Sequence, residues 1–248
     1  MMDRIERIHP ILEALRSEPG RINKILVARD DVRGRTGEIV RRARECRVPV
    51  FPVPKAKLDR ISPHHQGAVA FLAPKAFASL DDAVKAVSPA FLVLLDGVED
   101  PRNIGAVIRS AECAGAGGVV LPERRSAGLT ESAAVSSAGA WEHLPVARVA
   151  NLAQAMDELR GLGVWLVGCE GGAREPWHAF DYTLPVAIVL GSEGRGLRPL
   201  VRAKCDKLLS IPMFGRVNSL NISAAAAVFL FEAVRQRTQK THTRNTGK

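Results

Sequence analysis

Phe91-Leu92-Val93-Leu94-Leu95 is the stretch on which the fold turns. Five apolar residues without alternation do not suit a strand with one wet face. A short continuous run of this kind reads as a strand buried on both faces. Similar runs recur at Gly118 to Leu121, Val164 to Val167, Val186 to Leu190 and Leu208 to Ile211. Helix-period segments lie between them, at Ile104 to Ala114, Leu152 to Leu162 and Ser223 to Gln236. Buried strands alternating with helices predict an α/β unit over residues 90–237, with a parallel sheet covered on both sides.

Upstream, Ile5, Ile8, Ile11, Leu12 and Leu15 repeat at helical spacing until Pro19-Gly20 stops them. A strand is expected at Lys24 to Ala28, a helix at Thr36 to Arg47, and a strand at Val48 to Val53. A helical turn at Leu58 to Ile61 and a strand at Gly67 to Leu72 complete a compact α/β module over residues 1–73. Pro74 and Pro89 bracket an expected linker, residues 74–89, with a short helix at Leu80 to Val87. The polar, basic tail, 238–248, is expected to be disordered.

The composition of the 248-residue chain, 46% hydrophobic and 25% charged, excludes a disordered or collagen-like protein. The longest apolar runs, Ala90 to Leu95 and Ala224 to Phe231, fall far short of the ~20 residues a membrane-spanning helix needs. Met1-Met2-Asp3-Arg4 is charged at once, so no signal peptide is expected and a cytoplasmic location is. Cys46, Cys113, Cys169 and Cys205 lie far apart, without a CxxC pair or a nearby histidine. They are expected to be buried, reduced thiols, and no structural metal is expected. Net charge is +9, with +6 in residues 1–73, −2 in 74–234 and +5 in 235–248. Arg41, Arg42, Arg44 and Arg47 crowd one helix-like segment. Arginine forks phosphate well, which suggests a polyanionic partner, most simply nucleic acid.

In open parallel sheets, ligands gather beyond the carboxyl ends of the strands. Three loops occupy such positions. The first, Asp96 to Gly105, carries Asn103 and leads into a helix bearing Arg109, so that both could face the loop. The second, Leu190-Gly191-Ser192-Glu193-Gly194-Arg195-Gly196, has three glycines that let backbone approach a ligand. It is not the GxGxxG dinucleotide fingerprint. The third runs from Ile211-Pro212-Met213 to Ser219-Leu220-Asn221 at the entrance of an alanine-rich helix. Asn103, Ser219 and Asn221 could equally be simple helix caps.

Taken together, in this order and spacing, the three loops resemble the SPOUT superfamily of methyltransferases and its SpoU branch. The first motif matches Asn103 through Arg109 to Gly115, the second Gly191-Ser192-Glu193-Gly194, the third Ile211-Pro212-Met213 with Ser219-Leu220-Asn221. The likeness spans residues 5–237. Ile8 to Leu15, Lys24 to Ala28 and His65-Gln66-Gly67 resemble the L30e-like substrate-binding domain of the subgroup that methylates a guanosine of 23S ribosomal RNA. Ser137 to Ala140 and Glu232 to Gln236 resemble the same subgroup. The resemblance implies a deep trefoil knot, a homodimer whose active site the partner completes, and methylation of ribose 2′-hydroxyls of RNA with S-adenosylmethionine. It assigns catalysis to Arg109, Asn103, Glu193, Ser219 and Asn221, with Glu193 beside Arg109 or a substrate hydroxyl. It assigns donor binding to Leu190, Gly191, Ser192, Gly194, Ile211, Met213, Ser219 and Leu220. Two departures are modest: Asn218 stands at a variable position, and Ala134 and Val135 stand where relatives often have a basic residue.

Three rivals follow from the same residues. A transfer RNA ribose could be the target, or a ribosomal RNA adenosine of the resistance type. An L30e-like RNA-binding protein without activity would bind RNA but no donor. A small-molecule nucleotide enzyme would need a GxGxxG loop with a downstream acid, which the chain lacks.

Overall fold

The computed structural model describes residues 3–32, 34, 36–73, 76–123, 133 and 136–245. Ala134 and Val135, singled out above, lie outside the described residues. The chain divides into two compact units, Met1–Ala76 and Phe77–Lys248.

The first unit carries a four-stranded sheet in the order β1 (Asp3–Glu6), β4 (Ala68–Leu72), β2 (Ile22–Ala28), β3 (Val50–Val53). β4 runs antiparallel to both neighbours, while β2 and β3 are parallel. Both faces are covered. Ile25 and Val27 pack with Ile11 and Leu15 of α1 (Ile8–Ser17) and Ile39 and Ala43 of α2 (Gly37–Glu45). Leu26 and Ala28 face Leu58 of α3 (Lys55–Ile61). His65 fixes the turn into β4: its Nδ1 accepts from Gly67 N–H at 2.8 Å. Nε2, 2.9 Å from Asp59 Oδ1, is therefore the donor to that carboxylate.

The second unit is built on a seven-stranded, all-parallel sheet. Its order is β7 (Val146–Val149), β6 (Gly118–Pro122), β5 (Phe91–Asp96), β10 (Val186–Gly191), β8 (Trp165–Cys169), β11 (Lys207–Ser210), β9 (Glu175–Pro176). The opening pentapeptide behaves as a doubly buried strand should. Phe91, Val93 and Leu95 enter one core with Ile104 and Ile108 of α5 (Pro101–Cys113) and Phe229 and Leu230 of the last helix. Leu92 and Leu94 enter the opposite core with Met156, Leu159 and Val201. β10 sits between β5 and β8, so three carboxyl ends, at Asp96, Gly191 and Cys169, lie side by side.

Two boundaries differ from expectation. Residues 77–89 are not a free linker but belong to the second unit. Ala78 N–H donates to Val146 O at 2.9 Å, and Phe77 meets Trp141 edge-on at 5.8 Å. Ala83 of α4 (Leu80–Lys85) is fully buried against Gly118, where an added Cβ would come within 2.6 Å of it. The prolines punctuate a docked segment. The tail also departs from expectation, because the last helix, α6 (Ile222–Asn245), continues eight residues past Arg237. Arg237 anchors it: the guanidinium stacks over Phe91 at 4.5 Å, and Nε donates to Tyr182 O at 2.9 Å. Lys240 Nζ then reaches Thr183 Oγ1 at 2.8 Å.

A buried charge ties the first and second loops together. Asp96, fully buried, accepts from Arg198 Nε at 2.6 Å and Arg198 N–H at 2.8 Å. Arg198→Ala would strand the carboxylate with one donor. Breaking a fully buried pair costs ~3–5 kcal/mol, and the 41% exposure of the Arg198 side chain lowers this to ~2–3 kcal/mol. For a unit of this size that is a fall in Tm of roughly 4–12 °C, to be read from thermal circular dichroism. An unchanged Tm would contradict it.

Candidate active site

The carboxyl ends of β8, β10 and β11 floor one cavity of about 880 Å³. Leu190, Gly191, Ser192, Gly194, Ile211, Met213, Ser219 and Leu220 all line it, as do Glu193 and Asn221. The second and third loops are thus brought to one place. The volume lies in the range of pre-formed small-molecule sites, ~300–1,000 Å³. The walls are apolar side chains and glycine backbone. The loop's chain path explains the glycines. Ser192 and Gly196 exchange backbone hydrogen bonds at 3.1 and 2.9 Å, and the turn between them needs Gly194 at φ 79°.

At one edge of the cavity three polar side chains converge. Glu193 Oε1 accepts from Asn221 Nδ2 at 2.6 Å, Asn103 Nδ2 at 3.1 Å and the Ile222 N–H at 3.4 Å. Asn221 Nδ2 also donates to Asn103 Oδ1 at 3.0 Å. Asn221 caps α6 at the same time, its Oδ1 accepting from Ser223 N–H at 2.9 Å and from Ser223 Oγ at 2.5 Å. Capping and site-building are therefore not alternatives here: the amide oxygen serves the helix and the amide nitrogen serves the site. Asn103 is no cap. Asp100 holds that position for α5, accepting from Arg102 N–H at 2.9 Å.

Arg109 does not join this cluster. It is exposed, does not line the cavity, and makes no ion pair or hydrogen bond among the described residues. Six residues of α-helix turn ~600°, so Arg109 points roughly 120° away from Asn103 and lies ~9 Å further along the axis. Glu193 engages the two asparagines instead of Arg109.

Sequence reasoning missed one wall of the cavity, Cys169, Glu170, Gly171 and Gly172. The signal was present, since these residues follow a strand whose carboxyl end adjoins the site. The cysteines also differ from a uniformly buried set. All four are free, but Cys113 is exposed. Burial pushes the thiols of Cys169 and Cys205 up to about 12. At pH 8 both are neutral and poor nucleophiles. Iodoacetamide at pH 8 should label Cys113 in the native protein and reach Cys169 and Cys205 only after unfolding. Peptide mapping that finds Cys169 labelled as fast as Cys113 would refute this.

Known proteins resemble this chain in sequence and fold. The SpoU rRNA methylase family matches residues 90–231, and the family described as RNA 2′-O ribose methyltransferase substrate binding matches residues 5–78. The chain belongs to the SpoU family of RNA methyltransferases, which use S-adenosylmethionine. A Bacillus subtilis (strain 168) relative, named as the TrmH family tRNA/rRNA methyltransferase YacO, is 41% identical over 232 residues. That match covers 92% of this chain and 93% of the relative. The SpoU methyltransferase AviRb of Streptomyces viridochromogenes, solved with S-adenosylmethionine, superposes with a TM-score of 0.78 at 29% identity. It covers 96% of this chain and 91% of its own. An rRNA methyltransferase of Sinorhizobium meliloti, also solved with the donor, gives 0.78 at 25% identity, covering 94% and 87%.

The cavity suits the methyl donor. Its apolar floor offers surface to a base, its glycine backbone offers N–H and C=O groups to polar edges, and its polar cluster stands at one edge. Among the described residues, no group of three or more metal-ligating side chains occurs, and no helix is long and apolar enough to cross a membrane.

Proposed function

We propose that the protein methylates a ribose 2′-hydroxyl of RNA, with a guanosine of 23S ribosomal RNA as the target. The observation that carries the reading is the Asn103–Glu193–Asn221 cluster at the edge of a donor-sized cavity. The bound donor supplies a methyl group on a sulfonium. The residues' task is then to place the 2′-oxygen in line with it and to stabilise the developing alkoxide, the hydroxyl proton passing to solvent as the oxygen–carbon bond forms and the carbon–sulfur bond breaks. Asn103 and Asn221 hold Glu193, whose exposed carboxylate accepts from a substrate hydroxyl. Ser219 and Leu220 shape the donor pocket beside them. An arginine guanidinium is costly to neutralise, so Arg109 acts as a cation, not a base. It stabilises the alkoxide and anchors a phosphate, in a homodimer whose second copy completes the site. The 2′-hydroxyl target selects RNA over DNA. A cytoplasmic role in ribosomal RNA processing fits this chemistry.

The 23S guanosine rests on the likeness of residues 5–73 to that subgroup. A transfer RNA ribose is the second reading, favoured by relatives named for both RNA classes. Incubation with tritiated S-adenosylmethionine and unmethylated 23S ribosomal RNA or transfer RNA separates them. Label on 2′-oxygens of ribosomal guanosine is the expected result. Label on transfer RNA alone would replace the substrate and keep the chemistry. No label, with no donor binding by calorimetry, would move the protein to the non-catalytic RNA-binding reading.

A further inference from the structure

Phe214 is 96% exposed, an unusual position for a phenylalanine. Its sequence neighbours Met213 and Gly215 both line the donor cavity, so the ring stands on the cavity's rim. Val217, 73% exposed, follows on the same loop. The rim is also charged. Arg195 on the second loop and Arg216 on the third are exposed and make no ion pair or hydrogen bond among the described residues. Elsewhere in this unit arginine is mostly engaged: Arg102 with Asp100, Arg160 with Asp206, Arg198 with Asp96, Arg202 with Glu170 and Arg235 with Glu232.

An exposed ring on a rim whose two loops also carry two unpaired guanidiniums matches one kind of large ligand well. Single-stranded nucleic acid presents flat bases for the ring and phosphates for the arginines. A ribose in a single-stranded loop or bulge enters such a cavity readily, and its unstacked bases are free to meet aromatic side chains. Its own base or a neighbour's then passes the rim. We infer that Phe214 stacks on an unpaired base of the RNA substrate, while Arg195 and Arg216 take the flanking phosphates. The assignment rests on the methyltransferase reading above. It names a substrate-positioning contact outside the polar cluster.

The test uses the full-length protein and two probes, unmethylated 23S ribosomal RNA and unmodified transfer RNA. RNA affinity is measured by filter binding for Phe214→Ala, Phe214→Leu and Phe214→Trp. Phe214→Ala and Phe214→Leu should each weaken binding of the substrate RNA about 10-fold, the scale of one base–aromatic stack. Phe214→Trp should restore it, with its new fluorescence quenched by RNA. Donor affinity by calorimetry and mass by sedimentation should not change. Arg195→Ala and Arg216→Ala should each reduce the slope of log affinity against log salt by about 0.7, the value for one single-strand phosphate. Wild-type affinity in Phe214→Leu would overturn stacking, since leucine keeps the apolar surface and loses the ring. A Phe214→Ala protein that falls to half its mass would assign the ring to a second copy of the chain. Wild-type protein that methylates RNA beside an equally active Phe214→Ala would sink this inference alone. Wild-type protein that neither binds nor methylates RNA would sink the functional reading with it.

Discussion

Gly191→Ala is expected to lower affinity for S-adenosylmethionine by about 100-fold, the scale on which ~1 Å misplacements act in a pre-organised site. The reason is steric and local. A Cβ at residue 191 would sit 2.1 Å from the Gly196 carbonyl carbon, 2.3 Å from its oxygen and 2.4 Å from the Leu197 nitrogen. All three are backbone atoms, so no side chain can rotate away. The turn from Ser192 to Gly196 would have to lift off the end of β10, breaking both of its closing hydrogen bonds. Because that turn carries Ser192, Glu193 and Gly194, the cavity wall and the polar cluster would move together. Titration calorimetry measures the effect. Gly161→Ala, where an added Cβ meets nothing within 4 Å, serves as the control. Donor affinity at the wild-type level in Gly191→Ala would show that the cavity does not hold the donor.

The same glycine shows why the sheet was legible and parts of the site were not. Continuous apolar runs report burial on two faces, and residues 91–95 and 186–190 could be read as parallel strands from that alone. Glycines and small polar residues after those strands pointed to ligand-facing loops, and the structure gathers the second and third loops around one cavity. What the pattern cannot carry is which side chain meets which across tens of residues of chain. The resemblance puts Glu193 beside Arg109 or a substrate hydroxyl, yet within the chain two asparagine amides hold it. Residues 77–89 read as a linker because prolines bracket them, although Ala83 packs tightly against Gly118. The tail read as disorder from its polarity. Its anchor, Arg237 across Phe91, is a contact 146 positions apart in the chain. Tertiary contacts decided each of these against local composition.

Arg109→Ala is the second large effect, an expected fall of about 100- to 1,000-fold in kcat, as for loss of one oxyanion-stabilising donor. Donor affinity should stay at the wild-type level, because Arg109 does not line the cavity. The geometry adds a sharper consequence. Asn103 and Arg109 point in different directions from one helix, and only Asn103 reaches Glu193 and Asn221 of its own chain. The proposed homodimer would let Arg109 act on the cavity of a second copy. Arg109→Ala and Glu193→Ala proteins, each inactive alone, should then regain activity when unfolded together and refolded as a mixture. One cavity of each mixed dimer would combine an intact Glu193 cluster with an intact Arg109 from across the interface. Recovery of activity would establish the shared site. A dead mixture whose subunits demonstrably exchange would place Arg109 in the same chain's site. An Arg109→Ala protein with wild-type kcat would remove it from the chemistry.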